Sequence, residues 1–105
     1  MQKEVIIIGC NGFVLALNLV TGEESWRVKL RSGVLSSSRG SDVSVLVDAE
    51  RVYAGCDGRI YALRLSDGSM LWQNELKGIG FNEVALAMQG INTQFITRVE
   101  HHQNS

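Results

Sequence analysis

The chain has 105 residues, 45 % of them apolar and 20 % charged, with a formal net charge of −1. That length accommodates one module rather than two ordinary domains, and the apolar fraction excludes a disordered chain. The near-neutral charge balance, with no basic stripe, argues against nucleic acid or an anionic membrane surface as partner, and no stretch approaches the roughly 18 apolar residues of a membrane span.

The first predicted strand runs from about Glu4 to Gly9. Its run Val5-Ile6-Ile7-Ile8 is apolar on both faces, as expected of a strand covered on both sides. Asn11-Gly12 follows, a strong hairpin signal because a type I′ turn needs positive φ at both central residues. A second strand is expected over Phe13 to Leu19, a turn at Thr21-Gly22, and a third strand over Glu24 to Leu30 that carries Trp26. Residues Arg31 to Ser41, with Gly33, Ser36-Ser37-Ser38 and Gly40, have the composition of a solvated connection. Further strands are predicted at Val43 to Val47, Arg51 to Gly55, Arg59 to Leu65 and Ser69 to Leu76, with turns at Asp57-Gly58 and Asp67-Gly68. After Gly78-Ile79-Gly80, Val84 to Met88 parallels Val43 to Val47. In the tail, residues 91–105, Ile91, Phe95 and Val99 stand at helical spacing while Phe95 to Val99 also reads as a strand, and its structure is left open. Proline is absent and glycine numbers 11, a balance suited to tight turns between strands that keep every backbone donor.

Glu4 to Leu30 and Glu50 to Leu76 align without a gap at a spacing of 46 residues, and ten of the 27 aligned pairs are identical. A period of roughly 40 to 50 residues built from short strands is the signature of a β-propeller blade. By place in a four-stranded blade the strands read second, third and fourth, then first to fourth, then a first. The expected architecture is all-β, with two four-stranded antiparallel blades per chain that complete a propeller by oligomerisation. Residues 1–90 form the two-blade module, with repeats at about 4–30 and 43–76, and strand 84–88 completes a neighbouring blade. Cys10 and Cys56 occupy the same position in the two repeats, so both are expected as buried free thiols with a shared packing role. Ile7-Ile8-Gly9-Cys10 resembles a lipoprotein cleavage box only superficially: the apolar run before it is about four residues, against the roughly seven to fifteen of a signal, and Ala54-Gly55-Cys56 recurs in the second repeat. A soluble cytoplasmic protein is the default expectation.

Ala16-Leu17-Asn18-Leu19-Val20-Thr21-Gly22 leading to Trp26, and Ala62-Leu63-Arg64-Leu65-Ser66-Asp67-Gly68 leading to Trp72, resemble the tryptophan-docking motif of quinoprotein-like (PQQ-type) propeller repeats. That motif has an alanine, an aspartate two residues on, Thr-Gly, and a tryptophan ten after the alanine. The resemblance covers roughly residues 4–88. It implies that each tryptophan packs between its own motif's alanine and the peptide near the glycine of the next blade. Carried over, Trp26 docks against Gly68, and Trp72 needs a Gly22 from another chain. The motif's aspartate is replaced by Asn18 and Arg64, and its threonine by Asp67 in the second copy, where an Arg64–Asp67 ion pair would stand in for the usual hydrogen bond.

Catalytic constellations are weak. Family enzymes hold pyrroloquinoline quinone with a calcium ion, beside an aspartate base, and nothing here reproduces that set. Asp42, Asp48, Glu50, Asp57 and Asp67 fall at strand starts or turns, where carboxylates bond local backbone. His101-His102 lies in the tail, and neighbours on a strand point to opposite faces. No nucleophile elbow, phosphate loop or dinucleotide fingerprint occurs. Tyr53, Tyr61, Trp26 and Trp72 read as inter-blade core before they read as a sugar-binding groove.

The sequence therefore points to a non-catalytic ring-forming propeller that acts as a binding or interaction scaffold, without cofactor or metal. The chain's partner is itself, with four chains favoured because quinoprotein-like propellers usually have eight blades, and three chains the runner-up. A lectin-like small-ligand or glycan binder with sites between blades is the alternative, and a quinoprotein-type enzyme comes third. The residues expected to carry structure and interface are Ala16, Gly22, Trp26, Ala62, Gly68, Trp72, Val84, Leu86 and Met88. Val84 to Met88 is expected to pair with Val5 to Ile8 of the adjacent chain.

Overall fold

The computed structural model of the chain describes residues 4–30 and 42–89. Among the described residues there are seven strands: β1 (Val5–Cys10), β2 (Phe13–Asn18), β3 (Glu24–Lys29), β4 (Ser44–Val47), β5 (Arg51–Cys56), β6 (Arg59–Arg64) and β7 (Met70–Asn74). They form two antiparallel meanders, a three-stranded sheet in the order β1-β2-β3 and a four-stranded sheet in the order β4-β5-β6-β7. The connection of residues 31–41, the tail of residues 91–105 and the pair His101-His102 lie outside the described residues.

The turns follow from their residues. Asn11 and Gly12 have φ of 54° and 80°, and Asp57 and Gly58 have 53° and 75°. Both pairs therefore lie in the left-handed region that a two-residue hairpin of the I′ type requires, which Asn, Asp and Gly reach at least cost. The second turn of each repeat is wider and closes on matching backbone bonds. The Gly22 N–H donates to the Asn18 carbonyl at 2.9 Å and the Gly68 N–H to the Arg64 carbonyl at 2.8 Å. In each sheet the ladder shifts register one step before this turn, between Ala16 and Leu17 and between Ala62 and Leu63. The same bulge recurs in both copies, and each tryptophan stands opposite its own repeat's alanine, Trp26 at Ala16 and Trp72 at Ala62.

Strand alternation assigns every side chain to a face. In the first sheet Ile7, Val14, Ala16, Trp26, Val28 and Leu30 share one face. In the second, Val45, Val47, Val52, Ala54, Cys56, Tyr61 and Leu63 share one face. These two faces meet. Val14, Leu30, Val52, Ala54, Cys56, Tyr61 and Leu63 are fully buried in one cluster, with Ile7, Trp26, Val28, Val43, Val45, Val47 and Leu65 packed around it. The core of the molecule is thus the contact between its two repeats.

The outer face of the first sheet is open. On the first sheet Ile6 is 48 % exposed, and Cys10 lies on that same outer face. Cys56 is buried and Cys10 is exposed, so the expectation of two equivalent buried thiols is corrected. The two residues hold the same ladder position, but only the face that carries Cys56 is covered. The first sheet has the three strands read as second, third and fourth of a blade, and residues 84–88 join no ladder among the described residues. Within 84–88, half-buried Val84, Leu86 and Met88 alternate with exposed Ala85 and Ala87, the period of a strand. The segment rests through Val84 on a sheet face, at Gly55.

Candidate docking site between the sheets

The site begins with Trp26, held by the β3 end of the bulged ladder opposite Ala16, which is completely buried. The indole Nε1 donates to the Leu65 carbonyl at 2.9 Å, across 39 residues of sequence. The indole lies flat enough on Gly68 that a Cβ built there would stand 2.5 Å from Trp26 Cε3 and 2.7 Å from Cδ2. Gly68 has φ of +80° and is buried. Glycine is required here twice over, by the backbone conformation and by the ring above it. Trp26, Ala16 and Gly68 therefore form one docking contact that joins the first repeat to the second.

The equivalent residues of the second copy stand apart. Ala62 is fully buried opposite Trp72, but Trp72 is 47 % exposed, its ring 6.2 Å from that of Tyr53 and tilted by 43°. Gly22 has φ of +79°, the same backbone as Gly68, with nothing within 4 Å of where a Cβ would stand. Among the described residues the chain thus presents a tryptophan without a seat at one end and a seat without a tryptophan at the other.

The turns that form the seats are built differently. In the first, Asn18 Oδ1 accepts from the N–H of Val20 at 2.8 Å and of Thr21 at 2.9 Å, and Thr21 Oγ1 accepts from the Glu23 N–H at 3.2 Å. In the second, Asp67 Oδ1 accepts from the Ser69 N–H at 2.9 Å and the Ser69 hydroxyl at 2.6 Å. These bonds hold the Asp67 carboxyl below the ordinary aspartate range. The Arg64–Asp67 pair is only a 4.0 Å contact between exposed side chains, and pairs of that kind contribute little. Asp67 thus repeats the Thr21–Glu23 bond of the first turn, and Arg64 adds a hydrogen bond to the Ser69 hydroxyl at 3.0 Å where Asn18 bonds the backbone.

Val84, Leu86 and Met88 line the far face of the second sheet. Val84 packs on Gly55, where a Cβ would come within 2.6 Å of Val84 Cβ, and its carbonyl accepts from the Ser44 hydroxyl. Val43 does the same to Gly9 in the first sheet, its carbonyl 2.7 Å from the position of a Cβ there. Sequence reasoning missed these two glycine seats, although their identity in both repeats was the available signal: a glycine inside a strand marks close approach of another backbone.

A groove of about 900 Å³ opens between the sheets beside Trp26, lined by Asn18, Ser25, Glu50, Arg51 and Arg64 among others. Among the described residues no three His, Cys, Asp or Glu side chains converge. The Asp48 carboxylate is occupied by the N–H groups of Glu50 and Arg51, which hold its pKa below the ordinary range. The described donor set does not fit pyrroloquinoline quinone and its calcium ion. Among the described residues no helix is long and apolar enough to cross a membrane.

Two antiparallel meanders in register repeat, docked by a tryptophan on the next repeat's glycine, are blades of a β-propeller with quinoprotein-like repeats. The chain belongs to the family described as outer membrane protein assembly factor BamB, which matches residues 2–98. Among solved structures it is similar to BamB from Moraxella catarrhalis at 24 % sequence identity and a TM-score of 0.29, over 83 % of this chain and 36 % of that one. The chain thus spans about a third of that structure's length. No curated protein matches it.

Proposed function

We propose that the chain is a non-catalytic interaction scaffold that builds a propeller with further copies of itself. The observation that carries this reading is the complementary pair of open features, Trp72 half exposed on one face and the empty seat at Gly22 on the other. The contact of Trp26 with Gly68 is the template for joining them. A face that fits the next repeat at one end and the previous repeat at the other is heterologous, and such contacts close into a ring when the rotation per unit permits. Four copies give the eight blades usual for quinoprotein-like propellers, and three copies give six. The family's description as an assembly factor for outer membrane proteins favours a protein partner over a small substrate. The test is the absolute mass in solution of the parent and of Trp72→Ala. A multiple of 11.6 kDa that falls on substitution supports the reading, and a parent that stays at one chain overturns it.

The groove beside Trp26 favours a second reading, a small-ligand or glycan binder with sites between blades. Its mixture of carboxylate, guanidinium, hydroxyl and amide groups suits a polyhydroxylated or zwitterionic molecule. A thermal-shift screen of glycans and metabolites tests it, with Arg51→Ala as the variant expected to lose any hit.

A further inference from the structure

We infer that the open edge of β1 accepts residues 84–88 of a second copy as an antiparallel strand, in a defined register: Ala85 opposite Gly9, Leu86 opposite Ile8, Ala87 opposite Ile7 and Met88 opposite Ile6. The inference rests on the assembly proposed above and adds to it a backbone junction that side-chain packing alone does not require.

The register is read from the chain itself. In the second sheet β4 covers the edge of β5 with Ser44 opposite Gly55, Val45 opposite Ala54, Leu46 opposite Tyr53 and Val47 opposite Val52. The 46-residue repeat makes Ile6, Ile7, Ile8 and Gly9 the counterparts of Val52, Tyr53, Ala54 and Gly55. Yet among the described residues β1 is an edge strand of its sheet, whereas β5 is internal. The donor is placed just as specifically. Val84 sits on Gly55 as Val43 sits on Gly9, so residues 84–88 hold against the second sheet the place that residues 43–47 hold against the first. Residues 44–47 do both things at once, lying near β1 of the preceding sheet while pairing with β5 of their own.

Face matching agrees with this register. Val84, Leu86 and Met88 are the half-buried set that lies toward the second sheet. In the inferred pairing Leu86 and Met88 share a face with Ile8 and Ile6, the outer face of the first sheet, which must meet that same second sheet if Trp72 is to reach Gly22. Directly opposite residues share a face in an antiparallel pair, so a slip of one residue would turn Leu86 and Met88 to the wrong side. An open apolar edge such as Val5–Cys10 is also an aggregation liability that folds normally cover, and addition of an extended segment to such an edge is an established mode of recognition.

The test places cysteines at Ile6→Cys and Met88→Cys in a full-length background carrying Cys10→Ala and Cys56→Ala. Opposite residues of an antiparallel pair have Cα atoms about 4.5–5.5 Å apart, within the range a disulfide spans. Oxidation should give a ladder of covalent multimers on a denaturing gel, whereas Ile6→Cys with Ala87→Cys, on opposite faces, should give none. Hydrogen exchange on the unsubstituted protein is the second measurement: amides of Ile6–Gly9 not engaged by β2 should exchange at least about tenfold more slowly than open edge amides. A multimeric mass with no ladder and unprotected β1 amides overturns the strand junction while the scaffold reading stands. A single-chain mass for the unsubstituted protein overturns both.

Discussion

Gly68 offers the sharpest test of how the two repeats are joined. Replacing it with alanine has two separable costs. The first is conformational: at φ of +80° an L side chain pays on the order of 1–2 kcal/mol for the left-handed backbone. The second is steric, because the new Cβ would stand 2.5 Å from Trp26 Cε3. The indole is held by its hydrogen bond to the Leu65 carbonyl, so it yields only by breaking that bond or shifting the sheet, which costs about 1–3 kcal/mol as overpacking. Gly68→Ala should therefore destabilise by roughly 2–5 kcal/mol in urea denaturation followed by tryptophan fluorescence. In a Trp26→Ala background the ring is gone and only the conformational part remains, about 1–2 kcal/mol. The double-mutant cycle should thus give a coupling of about 1–3 kcal/mol, well above the roughly 0.3–0.5 kcal/mol within which independent sites add. Additive effects would refute the docking of Trp26 on Gly68.

Trp26→Ala alone should cost about 3–5 kcal/mol, as truncation of a packed tryptophan does, and light scattering should detect a destabilised subunit. Trp72→Ala should instead lower the mass in solution, and a variant with full mass and full thermal stability would place the interface elsewhere. Cys10 is exposed in the single chain and Cys56 buried, so a thiol reagent should titrate Cys10 alone under native conditions at high dilution. Because Cys10 lies on the outer face of the first sheet, its labelling should slow as protein concentration rises; a rate independent of concentration would count against a covered face. The Asp48 carboxyl is depressed by the N–H groups of Glu50 and Arg51. Its stabilising contribution is present above the unfolded value near about 3.9 and lost as pH falls through the lower folded value. Asp48→Ala should therefore weaken stability at neutral pH and flatten its loss below about pH 4; an unchanged acid slope would show that the turn does not depend on this carboxylate.

The strands and turns were legible because short-range chemistry decides them. Asn11-Gly12 and Asp57-Gly58 read as tight turns and have positive φ at all four residues, since few other dipeptides tolerate it. The stacking of one repeat on the other was also legible, from identical glycines and tryptophans 46 residues apart. What sequence did not reveal depends on which faces are covered. Cys10 and Cys56 are indistinguishable by pattern, and only the packing of the second repeat against the first separates them. Val84 to Met88 carries a strand's residues, and its seat on Gly55 through Val84 was not legible in the pattern of those residues alone. At the second turn the Arg64–Asp67 pair expected from the pattern is present as a 4.0 Å contact, joined by hydrogen bonds of both side chains to Ser69.

The measurement that bears most directly on the whole account is the absolute mass of the unmodified protein at micromolar concentration, by light scattering coupled to size exclusion. The open Trp72 and the empty Gly22 seat predict four times 11.6 kDa, or three times if six blades close the ring. A folded, soluble species at 11.6 kDa would contradict it.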